Sequence, residues 1–309
     1  MEQVSVVIPL YNKAPHVERA IRSVLGQTWT AFELIVVDDG STDEGAAIVE
    51  SLGDKRIRLI RQTNQGVSAA RNRGISAANT EWIGFLDADD EWAPEFLQTV
   101  LSARVRCPTA KLIGSAYSVV DKAGRAERLR FENVPNDVGL INNWFEAAIK
   151  HNPICPSSVL IKKEVFDLLG GFPVDLRRGE DEFMWCKIAL AYDLAFVHDA
   201  LVTRYRDAVN RTSGLPVLYD FPLIEYMRDQ EIRPDPGKAY FIHEFVYKKH
   251  LRNATRAIIL GQYQQARSFI SKAKHSREFR WRVTRLRTLA ALPDWMIGLI
   301  VDRWMAAPK

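Results

Sequence analysis

The chain has 309 residues, 47% of them hydrophobic and 26% charged, which is too long for a minimal module and near the limit of one core, so one large globular domain with an appendage is expected. The net charge of +4 conceals an asymmetry: residues 238–309 hold fifteen Lys/Arg against four Asp/Glu, a surplus of +11 that leaves −7 on the residues before them. An acidic body with a basic tail points to an anionic partner for the tail, a membrane surface or nucleic acid, without choosing between them.

Three cysteines, Cys107, Cys155 and Cys186, match no compact zinc spacing and leave one over in any single disulfide, so reduced thiols in a cytoplasmic protein are expected. The opening MEQVSVVIPLYN lacks the basic and apolar regions of a signal peptide, and no run approaches the roughly 18 apolar residues of a membrane span. A soluble or peripheral protein is expected.

In chain order, the apolar runs Val4 to Ile8, Leu34 to Val37, Ile57 to Ile60 and Trp82 to Leu86 predict buried strands. Val17, Ala20, Ile21, Val24 and Leu25 fall on one face of a helix behind Pro15, and helices also fit 43–52, 67–78 and 94–105. Such alternation builds a mostly parallel sheet covered by helices. Further on, Ser115 to Val120 and Ser158 to Lys162 read as strands, Lys122 to Gly124 as a turn, and 180–192 as a helix presenting Trp185, Ile188, Ala189 and Tyr192 on one face. From about 217 the reading is helical apart from Pro234-Asp235-Pro236-Gly237, the best linker candidate.

Four constellations carry chemistry. Val36-Val37-Asp38-Asp39-Gly40-Ser41-Thr42-Asp43 puts two carboxylates at a strand end, where ligands of open α/β sheets bind; they can accept from a ribose or base, or simply cap the next helix. Phe85-Leu86-Asp87-Ala88-Asp89-Asp90 gathers three carboxylates whose mutual repulsion costs free energy unless a cation or a donor network compensates, or unless they form only an acidic surface turn leading to a helix near Pro94. Mg²⁺ or Mn²⁺ is the natural cation, since hard oxygen ligands suit it and it commonly binds substrate phosphates as well. Asn64 to Gly74 combines Gly66 at a helix start with Arg71 about one turn inside, a setting suited to phosphate, although neither a Walker loop nor the dinucleotide fingerprint occurs. Gly170-Gly171-Phe172 precedes Gly179-Glu180-Asp181-Glu182, whose acids sit in a helix's first turn, where Asp181 could serve as a general base.

Taken in order, Val4 to Asn12, Val36 to Asp43, Asn64 to Gly74, Phe85 to Asp90 and Gly170 to Asp181 resemble the family-2 glycosyltransferases with a GT-A fold, over roughly residues 3–213. The resemblance implies a GT-A (Rossmann-like) α/β domain over 1–213, its nucleotide-binding half at 1–106 and its acceptor half at 107–213, followed by a basic, all-helical region at 214–309. It also implies residue roles. Pro9, Tyr11, Asp39 and Arg71 would contact the nucleotide, Asp87 the ribose or donor sugar, and Asp89 with Asp87 a Mn²⁺ or Mg²⁺ ion. Asp181 would be the catalytic base, supported by Glu180. The implied reaction is inverting transfer from a nucleotide-diphosphate sugar to a saccharide or lipid-linked saccharide, in assembly of cell-surface polysaccharide or glycolipid.

Two departures shape the expectation. The loop Tyr205 to Ser213 holds no histidine, leaving Arg206 or Arg211 to contact phosphate. The Gln-x-x-Arg-Trp signature of processive synthases is absent, which favours addition of one sugar. The competing readings are a nucleotide-binding scaffold that has lost catalysis and a nucleotidyltransferase; intact acids at 39, 87, 89 and 181 weigh against the first. For the tail, residues 238–309 are expected to meet an anionic membrane on its inner, cytoplasmic face through Trp281, Trp295, Met296, Ile297, Leu299, Ile300 and Trp304, or else to pack these groups into a core. No nucleic-acid motif accompanies the charge.

Overall fold

Strands β1 (Val4–Leu10), β2 (Phe32–Asp38), β3 (Ile57–Arg61) and β4 (Trp82–Phe85) pair in parallel in the order β3-β2-β1-β4. In this computed structural model, residues 3–208 and 218–306 are described. Val4, Val6, Val7, Ile8 and Leu10 of β1 are all buried, because both faces of the sheet are covered and the strand therefore needs a continuous apolar run. Helix α1 (Ala14–Leu25) buries Val17, Ala20, Ile21 and Val24, the face read from the sequence, with proline in its first turn. Helices α2 (Gly45–Ser51) and α3 (Val67–Ala77) follow β2 and β3. Helix α3 lies so close to β1 that a Cβ on Gly74 would stand 2.3 Å from Val7 Cγ1, so only glycine permits this approach.

After β4 come β5 (Glu91–Trp92), α4 (Phe96–Arg106), β6 (Ala110–Val120), β7 (Ala126–Arg128) and β8 (Val138–Leu140). Then follow α5 (Trp144–Lys150), β9 (Val159–Lys162), α6 (Lys163–Leu169), α7 (Glu180–Ala191) and β10 (Asp193–Tyr205). One sheet runs β3-β2-β1-β4-β9-β6-β10-β5, with β7 on β6 and β8 on β10. Strand β9 is antiparallel to both β4 and β6, whereas β6 and β10 are parallel.

The thirteen-residue β10 escapes the sequence reading for a physical reason. Its register against β6 shifts between Val197 and Val202, so His198 and Asp199 interrupt the apolar run that would mark a strand. Helix α7 also departs from a one-face reading: Phe183, Met184, Trp185, Cys186 and Ile188 are all buried, so it is enclosed on nearly every side.

The chain divides into two compact units, residues 1–212 and 213–309. The second holds α8 (Leu223–Asp229), α9 (Pro236–Ile259), α10 (Tyr263–Lys272), α11 (Arg280–Ala290) and α12 (Asp294–Ala306). Its own core includes Leu251, Ala254, Phe269, Ile270, Val283, Leu286 and Ile297. Pro234 to Gly237 lies inside this unit and is no inter-domain linker: Asp235 caps α9 by accepting from the Lys238 N–H at 3.0 Å, and Pro236 opens the helix.

Candidate active site

From β3 the chain returns past β2 and β1 to place β4 on the far side of β1, so the strand order reverses between β1 and β4. Loops leaving the carboxyl ends of such strands diverge and open a crevice. Tyr11 follows β1, Asp39 follows β2, and Asp87 with Asp89 follow β4, so the first motifs read from the sequence converge there.

The β1 and β2 loops are stitched together by Asn12. Its N–H donates to Ser41 Oγ at 3.0 Å and its Oδ1 accepts from the Thr42 N–H at 2.7 Å, which holds Asn12 in the left-handed region at φ 49°. Beside it Pro9 is half-buried and Tyr11 is 42% exposed, so the Tyr11 ring presents a face that a base could cover.

Asp39 is buried and heavily engaged: Oδ1 accepts from the Gln65 N–H and Gln62 Nε2, and Oδ2 from the Gly66 N–H, at 2.8–2.9 Å. A carboxylate offers about four acceptor positions, so one further donor can still be taken. Asp39 thus first shapes the loop that leads into α3.

Arg71, on α3, joins two motifs far apart in sequence. Its Nη2 donates to Asp87 Oδ1 at 2.9 Å and its Nη1 to Glu180 Oε1 at 3.1 Å. Its guanidinium carbon lies 5.2 Å from the Phe172 ring centroid, a cation–π contact. Phe172 in turn packs edge-on against Phe85 and Trp185, at 5.4 and 6.0 Å between centroids. Asn72 locks this platform: Nδ2 donates to the Phe172 carbonyl and Oδ1 accepts from the Phe172 N–H, each at 2.8 Å. Asn72→Ala would leave both Phe172 backbone groups unpaired, and is expected to lower stability by about 1–3 kcal/mol in denaturant titration.

Gly179 holds a left-handed conformation, φ 78°, and starts α7 so that Glu180 and Asp181 fall in its first turn. Glu180 faces Arg71, while half-buried Asp181 accepts the Glu182 N–H at Oδ1, 2.8 Å. Burial first, and then the neighbouring charges of Glu180 and Glu182, push the Asp181 carboxyl up to about 7, partly offset by Arg71. A carboxyl titrating there is suited to taking a proton from a hydroxyl near neutrality.

The three carboxylates after β4 have different fates. Asp87 meets Arg71. Asp89 Oδ2 accepts from Lys13 Nζ at 2.9 Å, and its carbonyl accepts from Arg19 Nη2 at 2.8 Å. Asp90 points inward: Oδ2 accepts from Ser157 Oγ at 2.6 Å, Arg204 Nε lies 3.6 Å away, and burial pushes its carboxyl up to about 7. Ser157 Oγ also accepts from the Asp87 N–H at 3.1 Å, so one hydroxyl ties together both ends of the acidic turn.

Asp87 and Asp89 are hard oxygen donors, and one or two carboxylates with substrate phosphates suffice for Mg²⁺. Among the described residues no group of three or more His, Cys, Asp or Glu is placed to hold a metal. Each of the two carboxylates already meets a cation, Asp87 the Arg71 guanidinium and Asp89 the Lys13 ammonium.

The family model described as glycosyl transferase family 2 matches residues 5–170. The chain belongs to glycosyltransferase family 2. Glycosyltransferase GlyG of Streptococcus pneumoniae serotype 4 is 30% identical over 239 residues, covering 72% of this chain and 75% of GlyG. The uncharacterized glycosyltransferase YibD of Escherichia coli K12 is 41% identical over 102 residues, 32% of this chain and 30% of YibD, so that match spans less than a third of either protein. A crystal structure of S. aureus TarS 1-349 in complex with UDP-GlcNAc has a TM-score of 0.72 over 97% of this chain and 89% of that chain, at 21% identity, a likeness of fold.

In this member of glycosyltransferase family 2, sequence reading finds the acids and Arg71 but not the cations around the acidic turn. Lys13, Arg19 and Arg204 reach it from the loop after β1, from α1 and from β10. Lys13 directly follows the Tyr11-Asn12 pair and could have been flagged by that adjacency; Arg204 and Ser157 carry no local signal. Of the two arginines expected after the last core strand, Arg206 is exposed, and Arg211, with the rest of 209–217, lies outside the described residues. Cys107, Cys155 and Cys186 are buried and form no disulfide with one another.

Proposed function

We propose that this family-2 glycosyltransferase catalyses inverting transfer of a sugar from a nucleotide-diphosphate sugar to an acceptor hydroxyl. The acceptor is a saccharide or lipid-linked saccharide, and the product belongs to cell-surface polysaccharide or glycolipid assembly. The observation that carries this reading is the Arg71 bridge, which brings the acidic turn after β4 and the acid pair opening α7 to opposite sides of one guanidinium. The TarS structures with UDP-GlcNAc and with UDP support a nucleotide-sugar donor on this fold.

Tyr11 and Pro9 would cover the base, and the remaining acceptor position of Asp39 would take one of its donors. Asp87 and Asp89 would hold a Mn²⁺ or Mg²⁺ ion, which offsets negative charge growing on the departing diphosphate. Lys13, displaced from Asp89, would follow the phosphate oxygens. Asp181 would take the acceptor proton as the hydroxyl attacks the anomeric carbon, and Glu180, fixed by Arg71, keeps the first turn of α7 in place. Attack from the face opposite the diphosphate turns an α-linked donor into a β-linked product. An acceptor carried on a lipid would be met at the cytoplasmic face of a membrane.

A panel of nucleotide sugars, incubated with purified protein and Mn²⁺ and followed by nucleoside-diphosphate release, tests this. Release is expected from one donor, and Asp181→Asn should suppress it. No turnover of any donor, with wild type and Asp181→Asn indistinguishable, overturns the reading; pyrophosphate release from a nucleoside triphosphate and a sugar phosphate would identify a nucleotidyltransferase instead. Chelation with EDTA should abolish turnover and added Mn²⁺ restore it, while Asp89→Ala should lower turnover about a hundredfold or more even at saturating Mn²⁺.

A further inference from the structure

Helices α11 and α12 sit on the second unit's core through Val283, Leu286 and Ala290 on one and Ile297 and Val301 on the other. Ile297, grouped with the interfacial residues in the sequence reading, is therefore a core residue, and Met296 is half-buried. The side chain of Trp304 lies outside the described residues. The outward faces are unusual for a surface in water. On α12, Trp295 and Leu299 stand one turn apart at 68% and 61% exposure, with Ile300 beside them at 41%, and Trp281 at the start of α11 is 80% exposed. Large apolar groups so grouped on a helix mark an interaction surface.

The surrounding charge narrows the occupant. Arg280, Arg285 and Arg287 of α11 and Arg303 of α12 are exposed, within a region that carries fifteen Lys/Arg against four Asp/Glu. Tryptophan prefers the boundary between lipid and water, and cations beside it gain from acidic headgroups. No helix among the described residues is long and apolar enough to cross a membrane. We propose that the outer faces of α11 and α12 form a docking surface for an anionic lipid bilayer, with Trp295, Leu299 and Trp281 entering the interface and the arginines engaging phosphate headgroups. This deepens the proposed function by naming the surface that meets a membrane-borne acceptor, and rests on that reading only for its biological purpose.

Flotation of the full-length protein with vesicles of phosphatidylglycerol and phosphatidylcholine, against phosphatidylcholine alone, provides the test. Flotation is expected with the anionic vesicles at low salt, falling as salt rises. A Trp295→Ser/Leu299→Asp variant should bind at least about tenfold more weakly, with its unfolding midpoint and circular dichroism unchanged. Asp181→Asn should float like wild type, so a failed donor screen and a failed docking surface give different results. Absence of flotation, or flotation indifferent to the variant, overturns the proposal. So does sedimentation in which wild type self-associates through these helices without floating, or nucleic-acid binding in its place.

Discussion

Asp181→Asn is expected to reduce sugar transfer about 10³-fold, with substrate binding little changed, because the amide keeps the shape of the carboxyl but cannot accept the acceptor's proton. The wild-type rate should rise with pH and level off above about 7, the value to which burial pushes this carboxyl. The same shift has a consequence for stability. An aspartate ordinarily titrates near 4, so between about 4 and 7 the folded protein holds a proton that the unfolded chain releases. Its contribution is present at low pH and lost as pH rises through about 7. Asp181→Asn has no charge to lose, so at pH 8 it should unfold at a higher temperature than wild type, and the gap should close toward pH 4. Thermal melts across that range, paired with rate–pH profiles, check both sides. A variant that is inactive yet more stable above neutrality would mark strain held for chemistry; equal melting curves at every pH would remove the burial argument for Asp181.

Arg71→Met is expected to destabilise the first unit by about 3–5 kcal/mol, since it strips the cation from Asp87 and Glu180 while leaving both carboxylates in a largely buried setting. The effect should exceed that of removing any exposed pair, such as Arg22 with Glu18, for which about 0–1 kcal/mol is expected. A double variant, Arg71→Met with Glu180→Gln, should recover part of the loss, because one uncompensated charge is gone. Urea titrations of wild type, Arg71→Met, Glu180→Gln and the double variant measure that coupling. If Arg71→Met were no less stable than wild type, the bridge would not hold the two motifs together.

These expectations depend on contacts of very different sequence span. Asp39 and the Gln62–Gly66 loop are neighbouring segments, whereas Arg71 and Glu180 are 109 residues apart. Order alone nominates both residues as belonging to one site. It does not say that they touch, nor that Asn72 fastens the intervening Phe172 platform. A lone arginine one turn into a helix reads as a phosphate ligand; in the fold each of its terminal nitrogens also donates to a carboxylate, Asp87 on one side and Glu180 on the other.

Strands β1, β2 and β4 and helices α1 to α4 were legible because each buries a continuous run or one periodic stripe, and burial of apolar side chains writes its period directly into sequence; β3, expected to be buried, forms the sheet's edge with Ile57, Leu59 and Ile60 only half-buried, because no strand among the described residues covers its outer side. The acids at strand ends were legible because clustered like charge is costly without a compensating purpose. The long β10, the embedding of α7 on nearly all sides, the split between Asp87, Asp89 and Asp90, and the outward Trp295 beside the inward Ile297 were not. Each depends on what a neighbouring element presents: a shifted register, a second packed face, the Ser157 hydroxyl, a helix behind α12. The sequence by itself determined the order of motifs, the parallel half of the sheet and the charge of the tail, since local periodicity and composition carry that information. Only the tertiary structure decided which carboxylate meets which cation and which apolar groups stay in water, because both are settled by contacts between segments that no local pattern links.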